Sequence, residues 1–286
     1  MIKYVVIGDP VSHSRSPGMQ NAAFEKAGLG RPYGRFHVKK EGIGDFAAFA
    51  KKNLSGVNIT VPHKENIIPF ADEIDAVAAL SSSVNTLDIR NGRIKGYSTD
   101  GYGLEYALRK NFAVSPAGRT FCFTGCGGAC RAVSIHLAKE GAAEIFLANR
   151  TLLKAENIAR IISENFPSCR VHVLGLEDKK SLEHAIGSSD VLIQATSLGL
   201  KEDDPAPFDT KLLGANRKIA VFDTIYKNTP LLKAAEALGI ACAGGRDMLI
   251  YQGAASFRIW TGLEPDIDAM NTGFDITPVT DGDAKE

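Results

Sequence analysis

Short apolar, β-branched runs alternate along this chain with amphipathic stretches of helical length. Strands that must each be followed by a crossover helix build largely parallel sheets covered on both faces, so the pattern confines the chain to the α/β class. Strands are expected at 2–7, 33–38, 56–60, 120–124, 144–147, 170–174, 191–195 and 219–223. Helical patterns are clearest at 152–165, 229–238 and 248–261, and another from Pro17 to Lys26 has Gly28 to stop it.

The organisation changes near Asp100. Earlier elements are broken by polar, glycine-bearing loops, whereas a regular strand and helix alternation runs from Thr120 to about Ala241. After the Gly244-Gly245 pair an amphipathic helix returns, suited to packing on the first part of the chain. The expected plan is therefore two domains, with a second block (104–242) inserted into a discontinuous first one (1–103 plus 243–286). A length of 286 residues accommodates both. Lys201 to Phe208 reads as a proline-punctuated loop and Asp281 to Glu286 as a loose tail.

Basic and acidic residues number 33 each, so no long-range field gathers nucleic acid or an anionic membrane onto the surface. The N-terminal apolar run meets Asp9 too early for a signal peptide, and no later run is long enough to span a bilayer. A soluble, cytoplasmic protein is expected. Five cysteines, an odd number spread through the chain, argue for reduced thiols. Cys122, Cys126 and Cys130 are evenly spaced, but they fall in a strand run, a glycine turn and a helix start, so their sulfurs need not converge. No His or Cys pair at zinc spacing accompanies them, and small buried residues, with no metal, are the expectation.

Thr120-Phe-Cys-Phe-Thr-Gly125-Cys-Gly127-Gly128-Ala129 is an apolar strand entering a glycine turn and then a helical pattern from Cys130 to Lys139. Side chains at Gly125, Gly127 and Gly128 would keep the backbone from a pyrophosphate, whose charge the helix N-terminus then meets. The pattern is incomplete, because Cys130 stands at the third glycine position, and alone it is equally a structural turn. The next strand ends in Asn149-Arg150-Thr151, about where a Rossmann-type domain contacts the adenosine ribose. An acid there would favour NAD. Arg150, with Asn149 and Thr151, instead suits a 2′-phosphate, which points to NADP.

Four polar clusters each follow an expected strand in the first domain: Gly8 to Asn21, Asn58 to Glu65, Ser83 to Thr86 and Gly96 to Gly103. Ligands of open parallel sheets sit beyond the carboxyl ends of strands, so these loops are able to converge. Taken singly each has an ordinary reading: Ser16 as an N-cap, Lys64 as a surface lysine, Asn85 as a turn residue, Asp100 as a helix cap.

Taken together, the clusters resemble the shikimate dehydrogenase family. The resemblance rests on Gly8-Asp-Pro-Val with Ser14-x-Ser16-Pro17, Asn58-x-Thr60-Val-Pro-His-Lys64, Val84-Asn85-Thr86 and Thr99-Asp100-Gly-x-Gly103. Gly125-x-Gly-Gly-Ala129, Asn149-Arg-Thr151, Ala195-Thr196-Ser197, Asp223-x-x-Tyr226 and Gly245-x-x-Met248-Leu-Ile-x-Gln252 continue it in order. It implies an N-terminal α/β substrate domain with a mostly parallel sheet, an inserted Rossmann-type NADP-binding domain, and C-terminal helices returning to the first. It also implies NADPH-dependent reduction of 3-dehydroshikimate to shikimate. Ser14, Ser16 and Tyr226 would hold the substrate carboxylate; Asn58, Thr60, Asn85, Asp100 and Gln252 would face ring oxygens; Lys64 and Asp100 would sit at the reacting carbon. Gly125, Gly127, Gly128, Ala129, Asn149, Arg150, Thr151, Thr196, Ser197 and Met248 would contact NADP. The expected partner is the small-molecule substrate, and a homodimer stays open. Departures are Gln20 where a histidine is common, Gln194 where asparagine usually precedes Ala-Thr, and Arg246 and Asp247, whose role the sequence does not give.

Hydride reduction of a ketone leaves negative charge on its oxygen, and a positioned ammonium neutralises that charge as it develops. Lys64 is the natural donor, either transferring the proton or acting as an electrostatic clamp, and a neighbouring Asp100 would orient it and stabilise its charged form. Three other readings stand beside this one. A quinate or dual quinate/shikimate dehydrogenase has the same clusters, although the Arg150 cluster disfavours NAD-preferring quinate enzymes. A non-catalytic sensor of cofactor and small acid need not keep both Lys64 and Asp100. A methylenetetrahydrofolate-type dehydrogenase would leave the paired serines with Asn85 and Asp100 unexplained.

Overall fold

The computed structural model describes residues 2–276. The tail expected at 281–286 lies outside the described residues. From the N-terminus the chain forms β1 (Tyr4–Gly8), α1 (Ser16–Lys26), β2 (Tyr33–His37), α2 (Ile43–Asn53), β3 (Gly56–Ile59), β4 (Glu73–Ile74), α3 (Ala76–Ser81), β5 (Thr86–Arg90), β6 (Arg93–Tyr97) and α4 (Asp100–Phe112). There follow β7 (Thr120–Thr124), α5 (Gly128–Lys139), β8 (Glu144–Asn149), α6 (Leu152–Asn165), β9 (Arg170–Gly175), α7 (Lys179–Ser188), β10 (Val191–Gln194), β11 (Ala220–Asp223), α8 (Pro230–Ala237) and β12 (Cys242–Gly244). Helices α9 (Arg246–Thr261) and α10 (Ile267–Asp275) come last.

The chain divides into two compact units, one holding the residues up to Thr99 together with those from Ile250 onward, the other Asp100–Leu249. The expected boundaries at 103/104 and 242/243 fall a few residues away, inside α4 and β12.

In the first unit the strand order is β2-β1-β3-β5-β6-β4. The pairs β1 with β2, β1 with β3 and β4 with β6 are parallel, while β3 with β5 and β5 with β6 are antiparallel. The antiparallel β5–β6 hairpin turns on Asn91 (φ 52°) and Gly92 (φ 70°), the left-handed pair that lets a two-residue turn match the twist of its strands. Val5, Ile7, Val57, Ile59, Leu87 and Ile94 of this sheet pack with Phe46 and Ala50 of α2. Trp260 of α9 donates its indole N–H to the Leu87 carbonyl at 2.8 Å.

The second unit has the order β12-β11-β10-β7-β8-β9, parallel throughout. Its strands run outward from the middle in two directions, so β7 and β10 flank the point where the order reverses. Ligands of doubly wound sheets bind there, beyond the strand ends. Local chemistry sets the helices. α6 buries Ala155, Ile158 and Ile162, spaced three and four apart on one face. Pro230 opens α8 behind Thr229, whose hydroxyl accepts the Leu232 N–H at 3.3 Å. Among the described residues no helix is long and apolar enough to cross a membrane.

Candidate active site

In the second unit, β7 ends at Thr124 and the chain turns through Gly125 at φ +93° into α5. A Cβ at Gly125 would lie 2.5 Å from Thr196 Cγ2, so only glycine closes this turn against the loop after β10. At Gly127 and Gly128 an added Cβ would meet nothing within 4 Å. Space there, above a helix start with no side-chain cap, is what an approaching pyrophosphate requires, and Ala129 follows in the first turn.

Asn149, at the end of β8, accepts the Cys126 N–H at 3.0 Å through Oδ1 and donates Nδ2 to the Thr151 carbonyl at 2.8 Å. It pins the glycine turn to the neighbouring strand end. Arg150 and Thr151 next to it are exposed. In the loop after β10, Ser197 is exposed and Thr196 half-buried, its hydroxyl accepting the Leu198 N–H at 3.1 Å; Met248, in the first turn of α9, is buried.

Cys122, Cys126 and Cys130 are free and buried, as expected, and they also lie close together. Cys126 and Cys130 are hydrogen-bonded to each other, and Cys122 is close enough to raise the Cys130 thiol further. The sulfurs converge because α5 begins directly over the end of β7. Burial pushes Cys130 well above the usual thiol range and Cys122 up to about 12, so these two remain protonated, and Cys126 is buried beside them.

In the first unit Ser16, Asn58, Asn85 and Gln252, among the expected substrate residues, share one buried polar network. Ser14 Oγ accepts the Ser16 N–H at 3.3 Å, Arg15 occupies the cap position of α1, and no side chain caps the helix. Ser16 is thus not the N-cap that it resembles in isolation. It hydrogen-bonds the Tyr33 hydroxyl, which donates to Asn58 Oδ1 at 2.8 Å. Burial drives the Tyr33 phenol well above its ordinary range, so it stays a donor. Asn58 Nδ2 contacts Ser256 Oγ at 2.9 Å, Thr86 Oγ1 at 3.1 Å and the Asn85 carbonyl at 3.2 Å.

Asn85 is a buried node rather than a turn residue. Its Oδ1 accepts the Thr99 N–H at 2.9 Å and the Thr86 hydroxyl at 3.0 Å; its Nδ2 donates to Thr99 Oγ1 at 2.9 Å and Gln252 Oε1 at 3.3 Å. Thr60 and Lys64 are half-buried at the end of β3, and the Lys64 carbonyl accepts the Val84 N–H at 2.9 Å. Lys64 is therefore held on a turn tied to the segment between α3 and β5, one residue before Asn85, not on free surface. Gln20 is fully buried, its Nε2 donating to the Gly253 carbonyl at 2.9 Å.

The unit boundary passes between Thr99 and Asp100, so Ser14, Ser16, Asn58, Thr60, Lys64, Asn85 and Gln252 belong to the first unit and Asp100 and Tyr226 to the second. Asp100 is the buried first residue of α4, and Tyr226 is 42% exposed in the turn after β11. Residue identity alone did not single out Tyr33 or Ser256, and Thr99 entered only as part of the Thr99-Asp100-Gly-x-Gly103 motif. The available signal was Asn58 itself, since an amide inside an apolar strand must find partners. Asp247 gains a role as well. Its carboxylate accepts Lys110 Nζ at 2.9 Å and Asn111 Nδ2 at 2.8 Å, joining the first turn of α9 to the last turn of α4. Among the described residues no group of three or more His, Cys, Asp or Glu side chains is placed to hold a metal ion.

A reversing parallel sheet with an open glycine turn at its switch point defines a dinucleotide-binding α/β protein. Residues 6–87 match the substrate binding domain of shikimate dehydrogenase, and residues 245–272 match the shikimate 5′-dehydrogenase C-terminal domain. The NADP(+) shikimate dehydrogenase of Alkaliphilus metalliredigens is 39% identical, covering 92% of each chain. The crystal structure of the Aquifex aeolicus shikimate dehydrogenase superposes with a TM-score of 0.86 at 36% identity, covering 96% of this chain and 98% of that one. That of the Thermus thermophilus shikimate 5-dehydrogenase, in complex with NADP(H) and shikimate, gives 0.84 at 30% identity, covering 96% and 98%. The chain belongs to the shikimate dehydrogenase family.

Proposed function

We propose that this chain catalyses the reversible NADPH-dependent reduction of 3-dehydroshikimate to shikimate, a step of aromatic amino acid biosynthesis, in the cytoplasm. The observation that carries the reading is the network through Ser16, Tyr33, Asn58, Asn85 and Gln252. It collects, from the start of α1, strands β2 and β3, the residue before β5 and helix α9, hydrogen-bonding groups suited to a small acid bearing several hydroxyls. The first unit is assigned the substrate and the second the cofactor.

NADPH, when bound, supplies the hydride. Gly125, Gly127, Gly128 and Ala129 receive its pyrophosphate; Arg150 and Thr151, with Asn149 bracing the turn, receive the 2′-phosphate; Thr196, Ser197 and Met248 line the rest. Ser14, Ser16 and Tyr226 hold the substrate carboxylate. Asn58, Thr60, Asn85 and Gln252 orient ring oxygens. Lys64 neutralises the charge growing on the ketone oxygen, as a proton donor or by its ammonium charge, and Asp100 orients that ammonium. The partners on this reading are the small acid and the dinucleotide, with neither nucleic acid nor membrane, and a homodimer is compatible with it.

The test is a reduction assay on the purified protein with 3-dehydroshikimate and NADPH, run beside quinate with NAD+. Faster turnover of the first pair supports the reading, and turnover of the quinate pair alone replaces it with a quinate dehydrogenase. No turnover of either pair by folded protein overturns the dehydrogenase reading.

A further inference from the structure

Gln194 departs from the asparagine that the family resemblance leads one to expect, and the structure gives the longer side chain two tasks. It is fully buried at the end of β10. Its Oε1 accepts the Thr196 N–H, and its Nε2 donates to the Leu198 carbonyl at 2.9 Å, closing the turn that carries Thr196 and Ser197. The same Nε2 lies 3.3 Å from Asp223 Oδ1 at the end of β11.

Asp223, also fully buried, organises the next turn. Oδ1 accepts the Ile225 N–H at 2.9 Å and Oδ2 accepts the Thr229 hydroxyl at 2.7 Å, so the carboxylate grips the chain on both sides of Tyr226. The two turns also touch directly: a Cβ on Gly199 would lie 2.7 Å from Thr229 Cγ2, and Lys227 Nζ donates to the Leu200 carbonyl at 2.9 Å. On the other side Gly125 packs on Thr196. One continuous set of contacts, all in the second unit, therefore runs from the glycine turn through Thr196, Gln194 and Asp223 to the turn of Tyr226.

We propose that Gln194 and Asp223 form a positioning pair that locks the turn of Thr196 and Ser197 to the turn of Tyr226, so that dinucleotide binding and capture of the substrate carboxylate are thermodynamically coupled. The inference rests on the proposed function, which places Thr196 and Ser197 at the cofactor and Tyr226 at the carboxylate. Ordering either turn by a ligand holds the other through the shared amide, and by linkage the effect is reciprocal. An asparagine at 194 still reaches the N–H two residues on, but one methylene shorter it gives up Asp223.

The test is calorimetric titration of shikimate into the full chain, without and with saturating NADP+. In the wild type NADP+ tightens shikimate binding about fivefold or more. In Gln194→Asn that factor falls below about twofold while the Kd for NADP+ alone stays within about threefold, a split that general loss of structure does not produce. Asp223→Ala gives the same loss and serves if the first variant does not fold. Asp223→Asn, which keeps an oxygen for the Gln194 amide and the Ile225 N–H, retains most of the coupling. Independent binding of the two ligands to wild type overturns the inference, as does full coupling in Gln194→Asn. If wild type binds no shikimate at all, the proposed function itself fails, and that result is distinct from binding without coupling.

Discussion

Replacing Asn85 by alanine should be the most damaging single change within the polar network of the first unit, and bond bookkeeping shows why. Of the groups that Asn85 serves, the Thr86 hydroxyl keeps Ser256 at 2.8 Å and Asn58, and Gln252 Oε1 keeps the Thr99 hydroxyl at 3.4 Å. The Thr99 N–H has Asn85 Oδ1 at 2.9 Å and is left buried without it. An orphaned buried donor costs about 1–3 kcal/mol, and because Thr86 and Gln252 keep other partners the remaining lost bonds together add about 1 kcal/mol net, so Asn85→Ala should cost about 3 kcal/mol. For a unit of this size that lowers Tm by about 6–12 °C. Asn58→Ala is the internal contrast. The Asn85 carbonyl still receives the Ile59 N–H at 2.8 Å and Tyr33 still has Ser16, so the loss is roughly half as large. Thermal unfolding of the variants, with hydrogen exchange at the Thr99 amide, measures both effects. Asn85→Asp, which retains the acceptor, should preserve protection of that amide. A Tm for Asn85→Ala within about 1 °C of wild type, with Thr99 still protected, refutes the reasoning.

Three further outcomes follow from the same coordinates. Arg150→Ala should raise the KM for NADPH at least about tenfold more than that for NADH, because the exposed guanidinium is assigned to the 2′-phosphate; equal effects remove that assignment. Burial raises the Asp223 carboxyl above its ordinary value, with Thr229, the Ile225 N–H and Gln194 opposing, so the folded state holds this proton more tightly than the unfolded chain. Stability from this group is therefore lost as pH rises from the ordinary carboxylate value through the raised one. Wild type should gain in Tm relative to Asp223→Asn as the pH falls through that window, and a gap moving the other way contradicts the shift. Cys122, Cys126 and Cys130 should resist alkylation in native protein at neutral pH and react only on unfolding, since all three are buried and burial disfavours the thiolates of Cys122 and Cys130; rapid native labelling at these positions refutes this.

How much was legible in the sequence depended on whether an element announced itself locally. Helix α6 occupies the range that its periodicity predicts, because Ala155, Ile158 and Ile162 form a single apolar stripe. The hairpin of β5 and β6 went unread although Asn91-Gly92 between alternating runs is a strong turn signal; its flanks, Asn85-Thr86 and Gly96 to Asp100, are polar and read as loops. Strand β12, Cys242-Ala-Gly244, has no strand character of its own and exists by pairing with β11. At the candidate site, residue types and order revealed which side chains matter but not what they touch. Asn58 meets Ser256 across 198 positions of sequence, and only the fold brings such partners together. The ordinary readings of Ser16 and Asn85 failed for the same reason, since a cap or a turn is a local explanation and both residues are engaged at long range.

The central claim is that Lys64 acts on the developing alkoxide. Its most direct test is steady-state reduction of 3-dehydroshikimate by Lys64→Ala, with NADPH affinity measured separately. A kcat lower by about 100-fold or more, with NADPH binding unchanged, is the predicted result. Turnover within a few-fold of wild type would make Lys64 a bystander and contradict the account.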